Sequence, residues 1–329
     1  QNLTGYVVAS DSDSDNITYA YNWYKNGTLN ATSLITDGLI SYYPLNNDTL
    51  DYYGSNDGNN SGAVQNKTNY AIGGAYRFDG VDDIINLGTV HNNDIDNVSI
   101  SVWIYAIPNS DTRYISLSGG SGTYDQFYVT ATTNTLTMDF DGGTPRYSFR
   151  TTDAIPTNEW VHVVLLYNKD IASNDDRGKF YVNGVRYTGS AIQTGQPVIH
   201  SEITRIGNSW SSFEGGIDEY MIFNRSLTVS EISQLYWAGV NNGHTMNSSQ
   251  TTAGDNWTLG VKGLDYSDIG EEVNSSDLIV LATPNSAPVV SSVVLNTTDV
   301  SLNDSDQNLT GYVVASDVDS DNITYAYNW

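Results

Sequence analysis

The sequence predicts an all-β chain built as nested β-sandwiches and repeated in tandem, and three observations carry that expectation. Of the 38 acidic residues only seven are Glu; the rest are Asp, which favours turns and hard-cation ligation over helix surfaces. Twenty-four Tyr, 29 Gly and abundant Asn, Ser and Thr suit short strands joined by many turns. The chain also repeats itself: QNLTGYVVASDSDSDNITYAYNW (1–23) and QNLTGYVVASDVDSDNITYAYNW (307–329) differ only at Ser12 against Val318, a period of 306 residues. At 329 residues there is chain for two or three domains with real cores. A net charge of −25 repels phosphate and argues against nucleic-acid partners. No apolar run approaches the ~18 residues of a membrane span. The absence of Cys excludes disulfides, thiolate zinc sites and cysteine nucleophiles.

Leu3, Val7 and Ala9, then Ile17, Tyr19, Tyr21 and Trp23, alternate with more polar neighbours as a half-buried strand pair should. Trp257–Val261 and Asp277–Leu281 give two further strands of the same kind, and together these make an incomplete small sandwich. Between its halves lies a long block, about 38–239, with its own grammar. GKFYVNGVRY (178–187) reads as a strand, an Asn-Gly type I′ turn and a return strand. Near the block's end Thr228 and Glu231 form a capping box, and Gly239 can take the left-handed helix stop. In the second copy, Ala287-Pro288 opens an edge strand, VVSSVVLN (289–296), with no counterpart ahead of Gln1. An adjacent repeat or chain can supply that strand by donation, or the chain is a window cut from a longer array.

The inserted block resembles a laminin-G-like, concanavalin A-type jelly roll. The matching landmarks are LISYYPLNN (39–47), GGAYRFDGVDDIINLG (73–88), VSISVWIYA (98–106), EWVHVVLLYN (159–168) and FEGGIDEYMIFNRSLTVSEISQLYWAG (213–239). The flanks resemble immunoglobulin-like and cadherin-like repeats of microbial, and specifically archaeal, surface proteins, through APVVSSVVLN (287–296), the DSDSDN turn and DNWTLGVKGLD (255–265). The fold these resemblances imply is a jelly-roll β-sandwich inserted into an immunoglobulin-like β-sandwich. Residues 1–37 and 240–284 are the discontinuous immunoglobulin-like domain, 38–239 the laminin-G-like jelly roll, and 285–329 the start of the next repeat.

Asp11, Asp13 and Asp15 alternate after a strand, as do Asp317, Asp319 and Asp321, so each trio can converge on one hard cation or stand as a solvated turn. The cadherin-like resemblance implies calcium there. The jelly-roll resemblance implies a structural calcium at Asp218, with companions around Asp51 and Asp57; ordinary turn capping by Asp is the alternative. Asn-x-Ser/Thr occurs sixteen times, where chance predicts roughly seven. The sites are Asn2, Asn16, Asn26, Asn30, Asn47, Asn59, Asn66, Asn97, Asn224, Asn247, Asn256, Asn274, Asn296, Asn303, Asn308 and Asn322. That excess points to an exported, N-glycosylated protein.

Catalysis is not expected. The retaining glycosidases with this fold carry a Glu-x-Asp-x-x-Glu strand that is missing here, and the nearest acidic cluster, Asp82-Asp83, belongs to the FDGVDD landmark. His91, His162, His200 and His244 are scattered, and His162 reads as a core residue. Trp103, Trp160 and Trp257 sit in strand patterns, whereas Trp210 looks loop-borne. The expected function is a calcium-stiffened, N-glycosylated extracellular repeat that builds a surface stalk, fibre or filament with neighbouring copies. The alternative is a carbohydrate-binding cell-surface adhesin, which a loop-lined pocket of convergent aromatic and amide groups would favour. A third option is a non-catalytic module of a secreted enzyme.

Overall fold

The computed structural model describes residues 2–12, 16–91, 93–108, 113–119, 124–141, 145–200, 203–207, 213–265, 268–282, 286–297, 299, 308–318 and 322–328. Asp13, Asp15, Asp319, Asp321, Asn303 and Trp210 lie outside these described residues. Two compact units result, Gln1–Val280 and Leu281–Trp329.

The first unit is dominated by two large sheets. One runs Gly189–Thr194, Arg146–Ala154, Thr135–Asp141, Tyr124–Val129, Arg113–Gly119, Ile203–Ile206, Ile84–Thr89, Asn59–Ser61. The other runs Val185–Tyr187, Gly178–Val182, Trp160–Asn168, Asn97–Ala106, Glu214–Phe223, Ala75–Asp79, Val64–Asn66. Leu39–Tyr43 pairs with the far half of Glu214–Phe223, in line with Ala75–Asp79, which pairs with its near half. Phe127, Met138 and Phe149 from the first sheet meet Val102, Val163 and Phe180 from the second in one continuous core, the expected jelly-roll sandwich. The turn Asn183-Gly184 has φ of 51° and 77°, the left-handed pair that a type I′ hairpin requires.

The second sheet is buried on both faces, which is why Trp160–Asn168 reads as an almost unbroken apolar run. Val161, Val163 and Leu165 enter the sandwich core, while Val164 and Leu166 face the helix Val229–Val240 through Ile232 and Leu235. The capping box is present: Thr228 accepts from Glu231 N–H at 3.2 Å, and the Glu231 carboxylate accepts from Thr228 N–H at 2.7 Å. The expected stop at Gly239 is corrected. The helix continues to Val240, and the left-handed residues are Asn242 (φ 47°) and Gly243 (φ 67°). Gly239 is a buried packing residue, since a Cβ there would overlap the Trp103 indole. Trp160 departs from the expected core placement too: it is half-buried and donates through Nε1 to Asn69 Oδ1 at 2.8 Å.

A smaller sheet of five strands closes the first unit. Thr18–Lys25 pairs with Thr28–Thr32 on one side and Asn256–Leu264 on the other, and Val273–Asn274 and Leu278–Ile279 extend it. Trp23 and Trp257 pack edge to face at 6.2 Å, and Trp23 Nε1 donates to the Gly243 carbonyl at 2.8 Å. The expected strand from Leu3 to Ala9 shrinks to Leu3–Thr4, paired with Thr245–Met246. In the second unit the same eight residues, Leu309–Ser316, form a full strand against Val289–Thr297. Identical sequence is thus paired over two residues in the first copy and over eight in the second.

Candidate functional site

The closing strand Glu214–Phe223 shifts register between Asp218 and Met221, and Glu219 takes a left-handed φ of 53°. That bulge buries two consecutive carboxylates. Asp218 Oδ2 accepts from Ala71 N–H and Ile72 N–H, both at 2.9 Å, tying the loop before Ala75–Asp79 to the last strand. Glu219 Oε2 accepts from the Tyr42 hydroxyl at 2.7 Å. Asp218 Oδ1 and Glu219 Oε1 are buried and make no hydrogen bond of good geometry. Burial pushes both carboxyls well above the usual range, and the charge of Asp218 raises Glu219 further.

Asp51 organises the loop after Leu39–Tyr43. Its Oδ1 accepts from Tyr42, Tyr53 and Gly54 N–H, and its Oδ2 from Asn56 N–H. Asp57 Oδ1 in turn accepts from Asp51 N–H at 3.1 Å. The structure thus brings Asp51 and Asp57 together, while Asp218 serves another loop. The fit of these residues to the implied cation differs accordingly. Asp218 offers an oxygen without a donor and has Glu219 as a second such neighbour, whereas four N–H groups occupy Asp51. Among the described residues, the carboxylate trio whose ligand atoms lie within 4.8 Å of one another is Asp79, Asp82 and Asp83. Asp83 accepts there from Asp79 N–H at 2.8 Å, and Asp79 from Val81 N–H at 2.8 Å. Asp11 and Asp317, the described members of the two Asp turns, are half-buried.

His162 is a core residue. Its Nε2 lies 2.9 Å from Ser101 Oγ, its ring stacks with Trp103 and Tyr236, and burial pushes its pKa down to about 3. His200 pairs with Asp125, whose carboxyl burial raises to about 6. The fifteen sequon asparagines among the described residues are all exposed or half-buried.

A cleft of about 250 Å³ opens where the small sheet meets the jelly-roll loops. Tyr19, Tyr21 and Tyr70 supply rings, Asn46, Asn47 and Asn242 supply amides, and His244 adds an imidazole. Tyr21 stands 6.1 Å from both Tyr19 and His244, so three rings form one wall. Asn46 Nδ2 donates to Thr18 Oγ1 at 2.6 Å, which leaves its buried Oδ1 without a donor. Gly73, with φ of 71°, lets the backbone pass against that amide. Aromatic faces beside a few placed amides can hold a flat polyhydroxylated ligand. Sequence reasoning missed this cleft because its residues come from four separate segments, around 17–21, 46–47, 70–73 and 242–244. It missed Glu219 because nothing local announces a bulge.

No curated protein matches the chain. Among solved structures, domain 4 of a GH43 extracellular arabinanase from Geobacillus stearothermophilus, solved in complex with arabinotriose, superposes with a TM-score of 0.51 at 21% identity. That match covers 60% of this chain and 98% of the other. Trypanosoma rangeli sialidase gives a TM-score of 0.48 at 17% identity, over 66% of this chain and 35% of its own. At these identities the likeness is one of fold. Residues 79–233 match the model of the concanavalin A-like lectin/glucanases superfamily, which supports the jelly-roll reading of the sandwich and its laminin-G-like resemblance.

Proposed function

We propose that this chain is a non-catalytic carbohydrate-binding module of a repeated extracellular surface protein. The observation that carries the reading is the cleft, whose lining combines the neighbouring rings of Tyr19, Tyr21 and His244 with the amide residues Asn46, Asn47 and Asn242. The arabinanase domain of similar fold, solved with arabinotriose, is consistent with this ligand class. Among its lining residues the cleft has no carboxylate, whereas most glycoside hydrolases use a pair. Exposed or half-buried sequons support an exported setting. Calcium, where bound, is held by Asp218 with Glu219 and fixes the last strand to the loop at Ala71–Ile72.

Glycan-array binding of the folded chain tests the reading. Retention of a defined oligosaccharide class, weakened about tenfold by Tyr21→Ala, is expected, a loss of about 1.4 kcal/mol. Absence of binding, or release of reducing sugar, contradicts it.

A structural role in a stalk or filament is the second reading. It is favoured by the near-identity of 1–23 and 307–329 at a 306-residue period, which gives each unit the same end sequence.

A further inference from the structure

We propose that the outer face of the first jelly-roll sheet binds an acidic saccharide through Arg205 and Gln126. The strands of that sheet send Ile85, Ile206, Phe127, Met138 and Phe149 into the sandwich core. Successive residues on a strand face opposite ways, so their neighbours Asn86, Arg205, Gln126, Asp139 and Ser148 face outward. The register sets these residues in one row. Asn86 stands opposite Arg205, and Leu117 is the register partner of both Arg205 and Gln126. Gln126 is then opposite Asp139, Asp139 opposite Ser148, and Ser148 opposite Gln193. At one strand spacing per step the row runs about 29 Å, the length of an extended oligomer rather than of a single ring.

Two side chains of the row have no partner among the described residues. Gln126 is only 9% exposed, yet its amide makes no hydrogen bond there and is not sealed from solvent. Arg205 is half-buried and forms neither an ion pair nor a side-chain hydrogen bond there. The neighbouring arginines are engaged. Arg146 donates through Nε to Asp139 Oδ1 at 2.9 Å, and Arg150 through Nε to Thr137 Oγ1 at 3.1 Å. Around Gln126 the face therefore carries Arg146, Arg150 and Arg205 against Asp139 and Asp141, an excess of cation in a chain of net charge −25. At 0.15 M ionic strength the Debye length is about 8 Å, so a ligand here meets these groups rather than the charge of the whole chain. Tyr124 and Tyr128, two residues to either side of Gln126, share its face and are half-buried. A guanidinium grips a carboxylate in bidentate fashion, an amide both donates to and accepts from hydroxyls, and tyrosine rings cover apolar sugar faces. Together they select an oligosaccharide that bears carboxylates, the chemistry of a uronic acid. The row shares no residue with the lining of the cleft, so the two readings stand independently.

Calorimetric titration of the full chain with oligogalacturonate at 0.15 M salt tests the proposal, with a neutral galactose oligomer and a sulfated heparin oligosaccharide run beside it. Saturable binding of oligogalacturonate is expected, weakened about tenfold or more by Arg205→Gln and by Gln126→Ala. Tyr21→Ala, the substitution in the cleft, is expected to leave that affinity unchanged. The melting temperature of Arg205→Gln is expected to match that of the parent, which separates lost affinity from lost fold. Arg205→Lys is a second variant: it keeps the charge without the planar fork, and an intermediate loss is expected. Failure to bind oligogalacturonate overturns the proposal, as does equal affinity in Arg205→Gln. Loss of binding in Tyr21→Ala overturns it by moving the ligand to the cleft. A neutral oligomer bound as tightly removes the guanidinium from recognition, and preference for the sulfated oligosaccharide overturns the carboxylate assignment.

Discussion

At Gly239 a single hydrogen in place of a methyl group decides the packing of the helix on the sheet. The Trp103 indole occupies the space a Cβ would need, and that ring is held by His162 and Tyr236. Gly239→Ala is expected to destabilise the fold by about 1–3 kcal/mol despite the better helix propensity of Ala, measured by urea unfolding. An unchanged or raised midpoint contradicts that packing. Ionisation gives a second prediction at this scale. Burial raises Asp125 to about 6, and Asp218 and Glu219 move the same way. Between pH ~4 and ~6 the native state therefore binds more protons than the unfolded chain, so stability falls as pH rises through that window. Glu231 opposes this below pH ~4.5. The hydrogen-bonded Arg225 guanidinium lowers its carboxyl to about 2, a contribution lost as pH falls through that range. Thermal melting is expected to be highest near pH ~4 and to fall towards neutrality, and a maximum at pH 8 contradicts the burial of the three raised carboxylates.

Elements were legible where local chemistry determines them. Thr228 and Glu231 announce a helix start, and Thr228→Ala is expected to cost about 1 kcal/mol by urea unfolding. Asn183-Gly184 announces a type I′ turn for the same reason: few residue pairs tolerate two positive φ values. The helix end was misplaced by three residues. Gly239 is indistinguishable in sequence from a stop, and what keeps it helical is a tryptophan from a strand over a hundred residues earlier. The same limit applies to Leu3–Ala9, whose alternation is that of a strand but of which Leu3–Thr4 is the part assigned as one, whereas Leu309–Ser316 pairs with Val289–Thr297 over its whole length. The carboxylates divide similarly. Asp218 could be singled out from its motif, but its neighbour Glu219 is buried only because the strand bulges there. Added calcium is expected to raise the melting temperature of the chain and to have no such effect on Asp218→Asn. Equal responses in both proteins would place any bound cation elsewhere.

For the whole molecule, composition was enough to foresee an all-β chain, and the resemblance of the landmark motifs in 39–239 pointed to the laminin-G-like jelly roll that the match over residues 79–233 supports. The candidate cleft was not legible, because Tyr19 and Tyr21, Asn46, Tyr70, and Asn242 and His244 converge only after the jelly roll and the small sheet have packed. Asn47 has a double character here, lining the cleft and heading a sequon, so its occupancy by glycan would decide access to the site. The central claim is that the aromatic wall of this cleft holds a saccharide. The most direct measurement is an NMR titration of the full chain with arabinotriose and other short oligosaccharides, following the ring resonances of Tyr19, Tyr21, Tyr70 and His244. Saturable shifts confined to these rings and the Asn46 amide are the predicted result. Saturable shifts elsewhere, or none with any oligosaccharide that the glycan array retains, would contradict the account.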